Sequence, residues 1–109
     1  MVTLGTIFDL LQDERRRYAL YYLYEQDGPV AVTELVKTVD DWETDQTRND
    51  QHERFDKIAV DLRHTHLPKS AEVEFLQYDQ NQGIVQVSGT PTEFDAIITI
   101  ARLIEQPEK

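Results

Sequence analysis

The chain has 109 residues, 39% of them hydrophobic, and no cysteine, which fits one domain around one core and excludes disulfides and thiolate metal sites. No secretory segment and no apolar run of membrane-spanning length is legible, so a soluble, cytoplasmic protein with no membrane partner is expected. The formal net charge of -10, from 21 acidic against 11 basic residues, counts against a generic nucleic-acid binder. It also suits an organism with molar intracellular salt, where phosphate attraction is nearly screened out at any net charge.

Thr3 to Leu11 is predicted as a short helix with Leu4, Ile7, Phe8 and Leu11 sharing the face that packs on the core. Asp13 then serves as N-cap of a helix from Glu14 to about Gln26. Its inner stripe is Ala19, Leu20 and Leu23, surrounded by Tyr18, Tyr21, Tyr22 and Tyr24, and Asp27-Gly28-Pro29 stops it. Arg15, Arg16 and Arg17 form the densest basic cluster of the chain, open to two readings. Either they sit on phosphates, or they satisfy the neighbouring Asp9, Asp13 and Glu14.

Val30-Ala31-Val32 is long enough to add a strand to a hairpin, and Thr33 is read as the cap of a helix reaching Trp42 with Leu35, Val36 and Val39 facing in. Glu43 to Asn49 lacks apolar periodicity and reads as a loop. The helix that follows has different tasks on its two sides. Phe55, Ile58, Ala59 and Leu62 share a buried face, whereas Glu53, Lys57, Val60, Asp61 and His64 face outward, flanked by Arg54 and Arg63. Asp50 with Glu53 fits its start, and Pro68 ends it after Leu67.

Val73 to Tyr78 and Ile84 to Ser88 are β-rich runs joined by a turn in which Gly83 is free to take positive φ, predicting a hairpin. Thr90-Pro91-Thr92-Glu93 predicts a helix start with Thr90 as N-cap, Pro91 at N1 and Glu93 closing a capping box. The helix to about Glu105 carries Phe94, Ile97, Ile98, Ile100, Ala101, Leu103 and Ile104, too much apolar surface for one contact face. A second copy across a two-fold axis is the expected cover, which makes these residues a predicted dimer interface.

Helix, helix, short strand, helix, helix, hairpin, helix is the order of a winged helix-turn-helix. The predicted class is α+β, mainly helical, with a winged helix-turn-helix over residues 1–89 and a C-terminal dimerisation helix and tail over 90–109. The runs Phe8-Asp9-Leu10-Leu11, Glu14-Arg15-Arg16-Arg17-Tyr18-Ala19-Leu20-Tyr21-Tyr22-Leu23, Gly28-Pro29-Val30, Leu35, His64-Thr65-His66-Leu67-Pro68-Lys69 and Tyr78-Asp79 carry a resemblance. From Phe8 to Val87 the chain resembles the small haloarchaeal winged helix-turn-helix proteins catalogued as a domain of unknown function. The resemblance implies a halophilic archaeal source and a DNA-binding transcriptional regulator. The chain departs from that family at Ser70 and at Val73-Glu74, where a leucine and an Ala-Gly pair are usual. Its hairpin tip, Asp79 to Gly83, has no Lys or Arg with which to grip a phosphate.

The expected partner is therefore double-stranded DNA, read by Arg54, Lys57, Arg63 and His64 with Arg48 just ahead, and held at the backbone by Arg15, Arg16 and Arg17. The alternative is a winged-helix interaction module that docks another protein, its helix face a solvated one on which Glu53, Asp56 and Asp61 pair with those bases. Metal is not expected. His64 and His66 point about 200° apart on a helix, His66 falls on the buried face as a hydrogen-bonded core histidine, and His52 with Asp56 lacks a third ligand. The tyrosines could line a ligand cleft, but packing is the simpler reading. With no nucleophile-base pair and no phosphate-cradling glycine loop, neither an enzyme nor a cofactor is expected.

Overall fold

The computed structural model describes residues 3–43 and 51–107, and only the backbone of 51–53. Arg48, Asp50 and most of the predicted connector therefore lie outside the described residues, as does the Asp50–Glu53 cap.

Helix α1, Leu4–Leu11, starts where Thr3 Oγ1 accepts from the Thr6 amide at 3.1 Å. Its buried face is Ile7, Leu10 and Leu11, and the expected inward placement of Leu4 and Phe8 is corrected: both remain about half exposed. The helix has more apolar residues than one contact strip can hold, and the i, i+3, i+4 set from Ile7 takes the core. Helix α2, Glu14–Glu25, starts as predicted, with Asp13 accepting from the Arg16 amide. Ala19, Leu20 and Leu23 are buried with Tyr18 and Tyr21, and Trp42 meets Tyr18 and Tyr22 edge-on, so these rings are packing.

Strand β1, Val30–Ala31, runs straight into α3, Val32–Glu43, so the helix begins one residue ahead of the expected cap at Thr33. The Val32 amide bonds the Gly83 carbonyl at 2.8 Å, which ties this junction to the hairpin. Strands β2, Leu76–Asp79, and β3, Ile84–Val87, form that hairpin, with Gly83 at φ 67°. β2 starts later than expected because Val73 and Phe75 are buried in the turns before it. The antiparallel order is β1-β3-β2, with Val85 opposite both Val30 and Tyr78.

Helix α4, Gln51–Asp61, passes without a break into a π-helical turn, Leu62–His66, and a short α5, Leu67–Ser70. Pro68 does not end the helix at Leu67 as predicted. The Leu67 amide reaches back five residues to the Leu62 carbonyl. That wider turn carries the proline ring past the His64 carbonyl it would meet in an α-helix. The extra residue also slips the register, so His66 and Leu67 both join Ile58, Leu62 and Ser70 inside.

Helix α6, Thr92–Glu105, is correctly placed, but the capping box is not formed. The Thr90 hydroxyl instead donates to Asp95 Oδ1, which also accepts from the Tyr24 hydroxyl at 3.0 Å. Phe94 inserts beside Phe75, ring centroids 4.6 Å apart, and Ile98 is buried below it. The architecture is α+β and mainly helical, its small sheet packed against α2 and α3. Among the described residues no helix is long and apolar enough to cross a membrane.

Candidate nucleic-acid interface

The loop between α1 and α2 is only Gln12 and Asp13, so the start of α2 lies beside the end of α1. The last carbonyls of a helix have no partner within it. Arg16 and Arg17 supply one: Arg16 Nε donates to the Leu10 carbonyl at 2.7 Å and Nη2 to that of Asp9 at 2.8 Å, while Arg17 Nη1 donates to Leu11 at 2.8 Å. Arg15 and the remaining nitrogens of Arg17 reach carboxylates far along the chain, while the third nitrogen of Arg16 reaches His66. Arg15 holds Glu43 with two bonds of 2.8 and 2.7 Å and Asp61 at 3.1 Å. Arg17 holds Glu105 with bonds of 2.8 and 2.7 Å, across 88 residues of sequence.

These arginines are thus joined to their own protein, as one of the two sequence readings had it, though with other acids than the expected neighbours. The Asp9 carboxylate pairs with Lys69 at 2.7 Å, and Asp13 caps α2. Arg54 follows the same pattern, donating to Asp40 at 2.6 Å and Glu43 at 3.2 Å. The Arg17 hydrogen bonds, supported by that of Tyr21, hold the Glu105 carboxyl below the usual glutamate range, against the opposing effect of burial. Burial, followed by the bond to Glu105, pushes the Tyr21 phenol up.

His66 sits where the π turn brings it, 4% exposed. Its Nδ1 is 3.3 Å from Arg16 Nη1 and its Nε2 is 2.8 Å from Asp61 Oδ2. A guanidinium only donates, so Nδ1 accepts and Nε2–H donates to Asp61. This is the hydrogen-bonded core histidine that the helix periodicity predicts. No group of three metal-ligating residues occurs among the described residues.

On the outside of the α4–π unit Lys57, Arg63 and His64 are exposed, together with Asp56, Val60 and Thr65. Lys57 and His64 share a shallow recess of about 410 Å³ with Asp56, Val60, Asp61 and Thr65. Arg63 does not line it. A second recess, of about 450 Å³, lies along the hairpin and is lined by neutral and acidic residues including Gln77, Asp79, Gln80 and Asn81. The acceptors that take up the arginines, Glu43, Asp40 and Glu105, escape a reading by spacing because each stands on another element. Glu105, near the end of α6, gives no local signal of its partner.

A separate apolar surface lies on α1 and α6, which pack side by side. The exposed apolar residues there are Leu4 and Phe8 on α1 and Ile100, Leu103 and Ile104 on α6, with Leu103 70% and Ile104 78% exposed. Of the residues expected at an interface, Phe94 and Ile98 are buried in the chain's own core, and Ile97 and Ala101 are half-buried at its margin.

Fold and surface together define a small α+β domain with an outward cation-bearing helix face and a distinct apolar helix face. The chain belongs to the family described as Domain of unknown function (DUF7344), whose model matches residues 8–86. That match includes the whole α4–π unit and ends within β3, so α6 lies beyond it. No curated protein and no solved structure matches.

Proposed function

We propose that the protein is a winged helix-turn-helix transcriptional regulator from a halophilic archaeon, a homodimer that binds double-stranded DNA with the outward face of α4 and its π turn. The observation that carries this reading is the sheet order β1-β3-β2: a single strand ahead of α3 pairs with the far strand of the hairpin that follows the α3–α4 unit. That arrangement fits a winged helix, with α4 as the helix offered to the major groove and the hairpin as the wing. The contact set is narrower than the sequence reading. Lys57, Arg63 and His64 serve as readers with Arg48 ahead of them, while Arg15, Arg16, Arg17 and Arg54 brace the helices. The neutral hairpin tip adds no phosphate grip.

The dimer forms through Ile100, Leu103 and Ile104 with Leu4 and Phe8, bordered by Ile97 and Ala101. Leu103→Glu with Ile104→Glu is expected to halve the mass seen by light scattering, and an unchanged mass would remove this surface from the assembly.

Incubation with genomic fragments at high KCl, followed by sequencing of what is retained, tests the function. A shared two-fold motif is expected, and Lys57→Ala with Arg63→Ala should abolish its capture while the protein stays folded. The competing reading, a protein-docking module, is favoured by the enclosure of four of the basic side chains in ion pairs or carbonyl contacts and by the net charge of -10. Capture of no motif by folded protein would select it.

A further inference from the structure

We propose that Val60 is a specificity-determining residue that seats the 5-methyl group of a thymine in the major groove, fixing a thymine at one position of each half-site. The inference rests on the DNA reading above and adds the identity of a base.

Val60 is 58% exposed, although a β-branched residue is a middling helix former with no packing gain here. Among the described residues, the other exposed large hydrophobic ones, Leu4, Phe8, Ile100, Leu103 and Ile104, all lie on α1 and α6. Val60 stands apart from them, within the recess shared by Lys57 and His64. It has a donor side chain three residues before it and another four residues after it, so the surface runs donor, apolar group, donor.

On the major-groove edge the thymine methyl is the apolar group, set among the acceptors and donors of the other bases. Lys57 and His64 are matched by guanine or adenine N7 and by the O6 and O4 acceptors on either side. Of the two carboxylates of the recess, one faces outward, and it favours bases over backbone. Asp61 is turned inward to Arg15 and His66, whereas Asp56 is exposed and would repel a phosphate. The amino groups it can accept from on that edge are those of cytosine N4 and adenine N6. Valine has a single strongly preferred rotamer in a helix, so placing its methyls against the base costs little ordering. The contact is uncharged, and salt does not screen it.

The test uses the motif recovered from genomic fragments. Each thymine of one half-site is replaced in turn by deoxyuridine, which lacks the methyl, and affinity is measured at high KCl for the wild-type protein and for Val60→Ala. At one position the wild type should lose about four-fold in affinity, the size expected for one buried methyl. Val60→Ala should bind the natural motif more weakly by a similar factor and be indifferent to deoxyuridine there. Val60 supports no core packing, so the variant folds. Wild-type indifference at every thymine, or retained sensitivity in Val60→Ala, overturns the proposal and leaves the DNA reading intact. Failure to recover any motif overturns both.

Discussion

Arg15, Arg16 and Arg17 at the head of α2 and Lys57, Arg63 and His64 on the outside of the α4–π unit are both concentrations of positive residues. In the first set every guanidinium is held by a carboxylate or a helix-end carbonyl, with Arg16 only 7% exposed. In the second set the side chains are exposed. A run of arginines is therefore a poor guide to a phosphate contact in an acidic chain, because acids elsewhere in the fold compete for it.

Removal of single members should expose this difference. Arg16→Ala leaves the α1 carbonyls and His66 Nδ1 without their donor in a buried place, and a loss of about 3 kcal/mol is expected in denaturant unfolding. A loss below about 1 kcal/mol would show that water replaces the guanidinium. Arg17→Ala removes two bonds to a half-buried Glu105 and is expected to cost about 2 kcal/mol near neutral pH.

The Arg17 effect has a pH signature. Glu105 has a folded pKa below its ordinary 4.5, so its contribution is present above that value and is lost as pH falls through the lowered one. Without Arg17 the largest cause of the lowering is gone. The acid side of the stability profile should then be shallower in Arg17→Ala than in the wild type, and parallel profiles would break the assignment. The smallest effect is expected for Lys57→Ala with Arg63→Ala, within about 0.5 kcal/mol in unfolding, since both residues are exposed. A larger loss would place these cations with the bracing set.

The local elements were largely legible in the sequence. Asp13 as N-cap, the stripe of Ala19, Leu20 and Leu23, the strand at Val30-Ala31 and the turn at Gly83 each depend on residues within a few positions of one another. The misplacements arise where a residue had a choice. Leu4 and Phe8 lost the core to Leu10, Thr90 took Asp95 in place of a helix amide, and Pro68 follows a π turn in place of ending the helix. None of these outcomes can be read from periodicity, which ranks faces and does not say which face the neighbours leave open.

Of the candidate site, helical spacing placed Lys57, Val60 and His64 outside and His66 inside, as the structure has them, but it also placed Asp61 outside, where the fold instead turns its carboxylate to Arg15 and His66. The destination of the arginines was decided only in three dimensions. A guanidinium selects the acceptor that packing brings within about 3 Å, and Glu43, Asp61 and Glu105 stand 28, 46 and 88 residues from the arginines they bind. Periodicity is a property of neighbours along the chain; charge pairing in a folded domain is a property of neighbours across it.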